Sequence, residues 1–266
     1  MTDTHPDAVS SHPHLRVERD GSVLTVSLAN PERRNAQTPS LWLALAQVAR
    51  TLDPQVRVVV LRGDGQSFSA GLDRAMLAPG GIQGEPDLVG LALDGAEAAA
   101  EAITPFQQGF AAWAQAPAVV VASVQGHAIG AGLQLALAAD LRVVTDDVQL
   151  AMRETSLGLV PDLGGTGPLV ALVGLARALE ICATGRFVGA AEAVATGLAN
   201  VAVPRDQLEG TTADLVAALL AAPEAALREL KPLLRGAATA DRETQLRRER
   251  EAQGRLLHRL GSLVRR

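Results

Sequence analysis

The sequence predicts an α/β core followed by a C-terminal helical region. In the first half, short apolar runs typical of buried strands alternate with segments of helical periodicity, whereas the last third is almost wholly helical. The 266 residues suffice for one large domain, or for one domain with a helical appendage. Hydrophobic residues make up 48% of the chain, aromatic residues only 2%, and tyrosine is absent. We therefore expect a substantial core built mainly from Ala, Val and Leu.

The first elements are a hairpin, a helix and a buried strand. An Asp-Gly turn between the alternating runs at residues 15–18 and 22–28 predicts the hairpin. A Thr-Pro pair at residues 38–39 offers an N-cap followed by proline at the first helical position, which predicts a helix to about residue 52. The β-branched run at residues 56–61 fits a strand buried on both faces.

The middle of the chain begins with a loop rich in glycine and proline at residues 79–86. We expect a long helix after it, bent or broken at the Thr-Pro pair of residues 104–105 and ended by Pro117. The apolar run at residues 119–124 predicts another buried strand, which leads directly into Gly126.

A helix at residues 129–139 and strands at residues 141–145 and 148–152 complete the predicted core. From Gly164 onward we expect helices, three of them inside the core and three after it. These helices are predicted at residues 166–173, 176–183, 190–196, 208–220, 223–234 and 242–260.

We divide the chain into a tail (residues 1–14), an α/β core (15–203) and a C-terminal helical region (204–266). The tail is polar and holds three of the five histidines, and we expect it to be disordered. It lacks the apolar segment of a signal peptide, so we do not expect it to be one. Its His5, His12 and His14 could bind a metal ion, but a disordered tail is the favoured interpretation.

Composition also excludes several classes of partner. The net charge of −5 and the pI of about 5.6 argue against a nucleic-acid surface. No segment approaches the ~20 uninterrupted apolar residues of a membrane span, so we expect a cytoplasmic protein that binds neither membranes nor nucleic acids. The single cysteine, Cys182, excludes a disulfide framework and a multi-cysteine zinc site. It lies in an apolar helical stretch, where we expect a buried, inert thiol.

Ser67-Phe-Ser-Ala-Gly-Leu-Asp73 is the first candidate site segment. A strand ends before it, small residues turn the chain, and Asp73 can cap the helix that follows. Small residues allow a ligand to approach the backbone closely, where the Leu72 N–H is available as a donor. Taken alone, the segment is better explained as an ordinary strand-to-helix turn.

The second candidate is Gly126-His-Ala-Ile-Gly-Ala-Gly132, which follows a buried strand and opens a helix. The first N–H groups of a helix lack intrahelical partners, and the helix dipole favours negative charge there. The glycine spacing of four and then two residues does not fit the GxGxxG dinucleotide fingerprint, and there is no Walker lysine. The turn therefore predicts stabilisation of negative charge on an oxygen.

Two carboxylates eight residues apart follow this turn, in Glu154-Thr-Ser-Leu-Gly-Leu-Val-Pro-Asp162. Proton transfer next to a carbonyl requires N–H groups that stabilise the oxygen and an acid that moves the proton. The alternative is that Glu154 is a surface carboxylate and that Asp162 caps a helix at residues 164–173. Without further context, that alternative is favoured.

Together the segments resemble the crotonase (enoyl-CoA hydratase/isomerase) superfamily. The resemblance rests on Phe68-Ser-Ala-Gly-Leu-Asp73, on the Gly126–Gly132 turn and on Gly158-Leu-Val-Pro-Asp-Leu-Gly-Gly-Thr166. Arg33-Arg-Asn-Ala36, followed by a helix, resembles the family's N-terminal CoA-contacting segment. The motifs fall within residues 15–203 in the family's order, and their combination is specific although each one alone is weak.

The resemblance implies a spiral of ββα units, an acyl-CoA thioester substrate, and a homotrimer or dimer of trimers. By motif position, the N–H groups of Leu72 and Ala131 would form an oxyanion hole that stabilises a thioester enolate. No cofactor is implied, because coenzyme A is part of the substrate. The residues implied to contact substrate or CoA are Arg33, Arg34, Ala36, Ala70, Gly71, Asp73, Gly130 and Gln134.

The acids indicate which family member the chain resembles. Two-carboxylate hydratases carry a glutamate three residues beyond the second oxyanion donor, on the same helix face. That position is Gln134 here, whose amide can hold a water but cannot take its proton. Glu154 matches the second hydratase glutamate, whereas Asp162 matches the aspartate proton shuttle of dienoyl-CoA and related isomerases. We therefore expect an enoyl-CoA isomerase in which Asp162, with Glu154, relocates a double bond.

Two other functions remain open. One is an enoyl-CoA hydratase that uses Glu154 alone, and the other is a non-catalytic acyl-CoA-binding protein, since Gln134 marks a changed active-site position. The family's lysine after the Ala-Gly-x-Asp motif has no counterpart beyond the nearby Arg74, and its aromatic and basic C-terminal ending is missing. The remaining candidates for contact with the CoA phosphates are Lys231, Arg265 and Arg266.

Overall fold

Six strands form the main sheet of the computed structural model, which describes residues 12–264. The strands in chain order are β1 (Leu15–Asp20), β2 (Val23–Leu28), β3 (Val58–Gly63), β4 (Val119–Val124), β5 (His127–Ile129), β6 (Leu141–Thr145), β7 (Gln149–Ala151), β8 (Val188–Gly189) and β9 (Val201–Val203). The main sheet has the order β1-β2-β3-β4-β6-β9, and a second sheet has the order β5-β7-β8. In the main sheet β1 and β2 are antiparallel and all later neighbours are parallel.

Ten α-helices are present within the described residues, and those after β9 form the predicted C-terminal helical region. They are α1 (Pro39–Arg50), α2 (Leu88–Leu93), α3 (Ala96–Gln115), α4 (Ala131–Ala138), α5 (Thr166–Val173), α6 (Leu175–Thr184), α7 (Ala190–Ala195), α8 (Leu208–Ala221), α9 (Glu224–Ala237) and α10 (Arg242–Val264). The predicted α/β class, the hairpin, and the bounds of β4, β6 and α5 are confirmed.

Both faces of the central strands are covered, which explains why their sequences are continuously apolar. In β3 the side chains alternate between two layers. Val59 and Leu61 join the main core with α1 and α3, whereas Val58 and Val60 pack with Val216 of α8 on the other face. The parallel strands therefore lie between two helical layers, with their carboxyl ends at one edge.

Helix α3 packs along α1 through aromatic rings. The ring centroid of Trp42 in α1 lies 5.6 Å from that of Phe106 and 6.0 Å from that of Phe110. Gly109 faces the α1 backbone, where an added Cβ would lie 2.5 Å from the carbonyl oxygen of Trp42. This close approach sets the position of α3, one face of which lines the cavity described below.

The break expected at residues 104–105 falls elsewhere. The chain turns instead at Gly95, between α2 and α3, where φ is +106° and an L side chain would be strained. Pro105 lies inside a continuous α3, because Phe106 and Phe110 are buried against the core. That packing outweighs the cost of an interior proline, about 3 kcal/mol.

Three further elements differ from the sequence prediction. The helix expected at residues 129–139 begins at Ala131, because residues 127–129 form β5. The sequence does not predict β8 or β9, since pieces of two and three residues are too short to show a periodicity. Both strands pair only after distant segments have come together.

Part of the expected disordered tail, residues 1–14, lies outside the described residues, as does His5. His12 is described, and its Nε2 lies 3.0 Å from Ser40 Oγ, at hydrogen-bond distance. Cys182 is half-buried, and burial raises the pKa of its thiol, in keeping with the inert thiol expected.

No single helix between residues 12 and 264 has the length and hydropathy to cross a membrane. One pair of helices, Arg205–Ala221 and Glu224–Ala237, has that length and hydropathy only when the two are taken together, and the chain bends by 106° between them.

We expect Gly109→Ala to destabilise the protein by about 1–3 kcal/mol, because the added methyl overpacks the contact between α3 and Trp42. Urea unfolding would measure the change. Gly254→Ala is the matched control, since Gly254 lies within α10 with no neighbour near an added Cβ. It should stabilise the protein by up to about 1 kcal/mol. Equal effects of the two substitutions would contradict the packing described.

Candidate active site

A cavity of about 1050 Å³ opens between helices α2 and α3 and the segment that carries the two acids. Its base is formed by the turn at residues 70–73 and the start of α4. All twelve residues singled out in the sequence as site residues line this one cavity. They are Arg33, Arg34, Ala36, Ala70, Gly71, Leu72, Asp73, Gly130, Ala131, Gln134, Glu154 and Asp162.

The two glycine-containing turns meet backbone to backbone at the base of the cavity. Gly71 has φ +84°, and an added Cβ would lie 2.3 Å from the Ile129 carbonyl oxygen and 3.4 Å from the Ala131 nitrogen. Gly132 is equally confined, since its Cβ would lie 2.5 Å from the carbonyl oxygen of Ser69. Neither position accepts a side chain without moving the other turn.

This contact brings together the N–H groups of Leu72 and Ala131, and neither has an acceptor among residues 12–264. Their neighbours are bonded: Gly71 N donates to Ser69 Oγ (3.1 Å), and Gly130 N donates to the carbonyl oxygen of Ala151 (2.8 Å). Ala131 also begins α4, where the helix dipole favours negative charge. The two N–H groups are therefore available to an oxygen of a ligand.

A buried polar network that the sequence does not reveal holds the first turn. Ser69 Oγ donates to the carbonyl oxygen of Asn35 (2.7 Å) and accepts from Gln37 Nε2 (2.9 Å). Gln37 Oε1 in turn accepts from Trp42 Nε1 (2.7 Å). Ser69 and Gln37 are fully buried. Ser69 lies more than 30 residues from Asn35 and Gln37 along the chain, so no local pattern indicates these two bonds.

Glu154 lies in a 3₁₀ turn, Glu154–Leu157, with its carboxylate against Gly130. Its Oε1 accepts from Gln134 Nε2 (2.8 Å), whereas Oε2 is buried with no partner in the described part of the chain. Burial raises the pKa of Glu154, the charge of Asp162 adds to the rise, and hydrogen bonding, including that from Gln134, opposes it. The alternative interpretation, a surface carboxylate, is therefore wrong.

Asp162 is the second carboxylate of the cavity, and burial raises its pKa as well. Its carbonyl oxygen accepts from Gln107 Nε2 (2.7 Å), which ties the segment to α3. The side chain does not cap the following helix, because α5 begins at Thr166 after Gly165 and has no side-chain cap. The carboxylate of Asp162 lines the cavity and is not used as a helix cap.

Arginines surround the rest of the polar part of the cavity. Arg33, Arg34, Arg74 and Arg153 line it and are exposed, so an anionic ligand can reach them. Arg33 is held by Asp73, whose Oδ1 accepts from it (3.1 Å) and also from the N–H of Ala75, which confirms Asp73 as a cap. Arg153, which lies immediately before Glu154, was not predicted from the sequence.

Lys231 is not a phosphate contact of this cavity. It is only 8% exposed, its Nζ lies 2.8 Å from Asp140 Oδ2, and it also donates to the Ala118 carbonyl oxygen. It does not line the cavity, because α9 places it beside the amino end of β4. Arg265 and Arg266 lie outside the described residues.

One wall of the cavity is apolar. Residues 99, 102, 103 and 106 of α3 share one helix face and line it, opposite the acid-bearing segment. The short helix α2 and Trp42 contribute further apolar side chains. Nothing in the sequence singles out these residues, since alanines and leucines at helical spacing are typical of any core.

The arrangement suits a ligand with three parts: an anionic part near the arginines, an oxygen that accepts two N–H groups, and a hydrocarbon part against α3. Two carboxylates with raised pKa lie beside the oxygen site, where they can move protons at neighbouring carbons. Between residues 12 and 264, no group of three or more His, Cys, Asp or Glu side chains is placed to hold a metal ion.

The chain matches the enoyl-CoA hydratase/isomerase family over residues 18–262. A Thermobifida fusca YX protein, named as a candidate enoyl-CoA hydratase and crystallised with acetoacetyl-CoA, is similar with a TM-score of 0.88 and 46% identity over 94% of this chain and 95% of that one. Carnitinyl-CoA dehydratase of Escherichia coli K12 is 33% identical over 234 residues, 83% of this chain and 80% of the dehydratase. A Mycobacterium tuberculosis protein, also named as a candidate enoyl-CoA hydratase, is 31% identical over 199 residues, 73% of this chain and 70% of that protein.

We expect Asp162→Asn to stabilise the folded protein at pH 8. Because the pKa of Asp162 is raised in the folded state, folding is favoured below its ordinary value of 3.8 and that stabilisation is lost as the pH rises through the raised pKa. The amide removes this loss, so the gain should shrink toward zero near pH 4.

Thermal melting at both pH values measures this gain, and 2–4 °C corresponds to roughly 1 kcal/mol in a chain of this size. Asp214→Asn, at an exposed position of α8, is the control and should change little. A loss of stability at pH 8 in Asp162→Asn would show that the carboxylate is satisfied in the fold.

Proposed function

Since the chain belongs to the enoyl-CoA hydratase/isomerase family of the crotonase superfamily, we propose that it is an enzyme that moves a double bond within an unsaturated acyl-CoA. The observation that carries this proposal is the pair of half-buried carboxylates, Glu154 and Asp162, beside two N–H groups that have no acceptor among residues 12–264, with an amide at Gln134. Coenzyme A enters as part of the substrate, and the proposal requires no other cofactor.

The N–H groups of Leu72 and Ala131 are proposed to bind the thioester oxygen. They point from two turns fixed by Gly71 and Ser69, so no reorganisation is needed when negative charge develops on that oxygen. Donors of this kind contribute roughly 3–4 kcal/mol each to transition-state stabilisation in other acyl-transfer enzymes. The carbons next to the thioester become acidic enough for a carboxylate to deprotonate.

The reaction is a proton relocation without gain or loss of atoms. In a 3-enoyl-CoA, a carboxylate takes a proton from C2, and the electron pair moves into the carbonyl to give a dienolate held by the two N–H groups. Return of a proton to C4 leaves the double bond between C2 and C3. Burial raises the pKa of both Glu154 and Asp162, which favours uptake of a proton by groups that must both accept and return one.

Gln134 favours isomerisation over water addition. A hydratase of the two-carboxylate type activates water between two acids, and here one position holds an amide whose oxygen already accepts the N–H groups of Leu163 and Gly165. An amide in this state cannot take a proton from water.

Water addition by Glu154 alone is the second candidate function. Two of the similar proteins are named as candidate enoyl-CoA hydratases and one as a dehydratase. The unpartnered Oε2 of Glu154 supports it as well, because a single free carboxylate oxygen can serve as a base toward water.

We further propose that the protein works as a homotrimer or dimer of trimers. Large apolar side chains exposed on α6, among them Leu175 (70% exposed) and Leu179 (64% exposed), support burial against a second copy of the chain.

A comparison of two substrates distinguishes isomerisation from hydration. The protein should convert a 3-enoyl-CoA to the 2-enoyl isomer, and Asp162→Asn should lower kcat by roughly 100-fold or more, because general acid–base catalysis is lost. Absorbance of the conjugated thioester follows the reaction, and Asp214→Asn is the control. Fast addition of water to crotonyl-CoA that is unchanged by Asp162→Asn would establish the hydratase instead.

The arginines at the cavity should select the CoA part of the substrate. We expect Arg34→Gln to raise KM for an enoyl-CoA about 10-fold with kcat nearly unchanged, because one charged contact to a phosphate is lost. The same acyl group on pantetheine, which lacks the nucleotide, should show no such difference. Arg50→Gln, at the exposed end of α1, is the control. A fall in kcat with both substrates would place Arg34 in the chemistry instead.

A further inference from the structure

Gln134 makes more hydrogen bonds than any other side chain lining the cavity within the described residues, and all of its partners belong to acid-bearing segments. Its Nε2 donates to Glu154 Oε1 (2.8 Å). Its Oε1 accepts from the N–H groups of Leu163 (2.9 Å) and Gly165 (3.1 Å), which closely follow Asp162. The side chain is 1% exposed. One buried amide therefore bridges the two segments that carry the carboxylates.

The chemistry of these partners fixes the orientation of the amide. Two N–H donors face one end and a carboxylate oxygen faces the other, so a flipped amide would set donor against donor and acceptor against acceptor. The backbone is shaped around this side chain: an added Cβ on Gly165 would lie 2.6 Å from Gln134 Cγ, and Gly164 turns the chain with φ +86°. Gly165 thus makes room for Gln134, whereas Gly164 provides the turn before it.

We propose that Gln134 is a positioning residue that prepares the two carboxylates differently for proton transfer. It occupies Oε1 of Glu154 and leaves Oε2 as the one oxygen of that carboxylate without a donor. It also fixes the turn after Asp162, so that the second acid is presented from a rigid backbone. The part in proton transfer rests on the proposed function, whereas the bridge itself is a property of the fold.

In this chain the bridge requires a neutral group at one of the two positions, 134 or 154. With a glutamate side chain at residue 134, two carboxylate oxygens would face each other at the 2.8 Å now spanned by the amide bond to Glu154, and such a pair shares one proton. The other titratable groups near Glu154 are Asp162, whose charge would oppose a second anion, and Cys182 of α6, whose thiol has a raised pKa and stays neutral. The guanidinium of Arg153 lies over the Phe187 ring and forms no ion pair with Glu154 within residues 12–264.

The decisive experiment is thermal melting at pH 5 and pH 8 of the wild type, Gln134→Glu, Glu154→Gln and the double variant that exchanges the two residues. Gln134→Glu should melt lower than the wild type, with a larger deficit at pH 8, because the paired acids take up a proton more readily in the folded state and that stabilisation is lost as the pH rises. The exchange should restore the melting temperature. In the double variant the amide at position 154 can donate to the carboxylate at position 134, and that carboxylate still accepts from the N–H groups of Leu163 and Gly165.

Gln125→Met is the matched control for loss of a buried amide. Gln125 donates to the carbonyl oxygens of Gly63 and Gly65 and touches neither acid. It should lower the melting temperature equally at both pH values. A deficit of Gln134→Glu that does not depend on pH, or an exchange variant that melts no higher than Gln134→Glu, would overturn the proposal.

Kinetic measurements test separately whether this positioning matters for proton transfer. Gln134→Met keeps the volume but removes all three bonds, and kcat/KM for isomerisation should fall roughly 100-fold as the acids lose their positions. Its pH profile should shift, which loss of stability alone would not cause. If the wild type converts no enoyl-CoA, the proposed function fails while the melting experiments still decide whether Gln134 bridges the acids. An unchanged pH profile in an active Gln134→Met would refute the proposed effect of Gln134 on proton transfer.

Discussion

The contact on which the site depends is the backbone-to-backbone approach of two turns, where Gly71 lies against Ile129 and Ala131. Strands β3 and β4 are parallel neighbours, so the segments that leave their carboxyl ends emerge at the same edge of the sheet. Two N–H groups without acceptors in the described part of the chain can then face one point. Residues with side chains at Gly71 or Gly132 would separate the turns, and the buried hydroxyl of Ser69 keeps them in place.

The acids are placed at the expense of stability. Burial disfavours the charged form of both Glu154 and Asp162, and the charge of Asp162 adds to the effect in Glu154. The surrounding fold compensates with the aliphatic core on both faces of the main sheet and with the bond from Gln134. Groups that are destabilised as anions are also those that exchange protons readily near neutral pH. The raised pKa of the two acids and the local cost in stability therefore have one physical cause.

The sequence predicted much of the fold because local signals were strong. The Asp-Gly hairpin, the continuous apolar runs of β4 and β6, and the Thr-Pro start of α1 all report on a few adjacent residues. The cavity residues were predicted from motifs whose glycines mark tight turns. The sequence could not place Gln37 beside Ser69 or show that Gln134 reaches Leu163, because these contacts join residues about 30 positions apart. The break expected at Pro105 was wrong for the same reason, because the helix is kept continuous there by tertiary packing, which a local pattern does not show.

Lys231 illustrates how a structural detail changes the chemistry open to the protein. It is the only lysine of the chain, and Asp140 and the Ala118 carbonyl hold its buried ammonium at the far side of the main sheet. Thioesters acylate amines without a catalyst, and guanidinium groups are far poorer nucleophiles because they stay protonated. The cations that line the cavity are arginines: Arg33, Arg34, Arg74 and Arg153. The thioester proposed to bind there therefore meets no lysine amine that it could acylate.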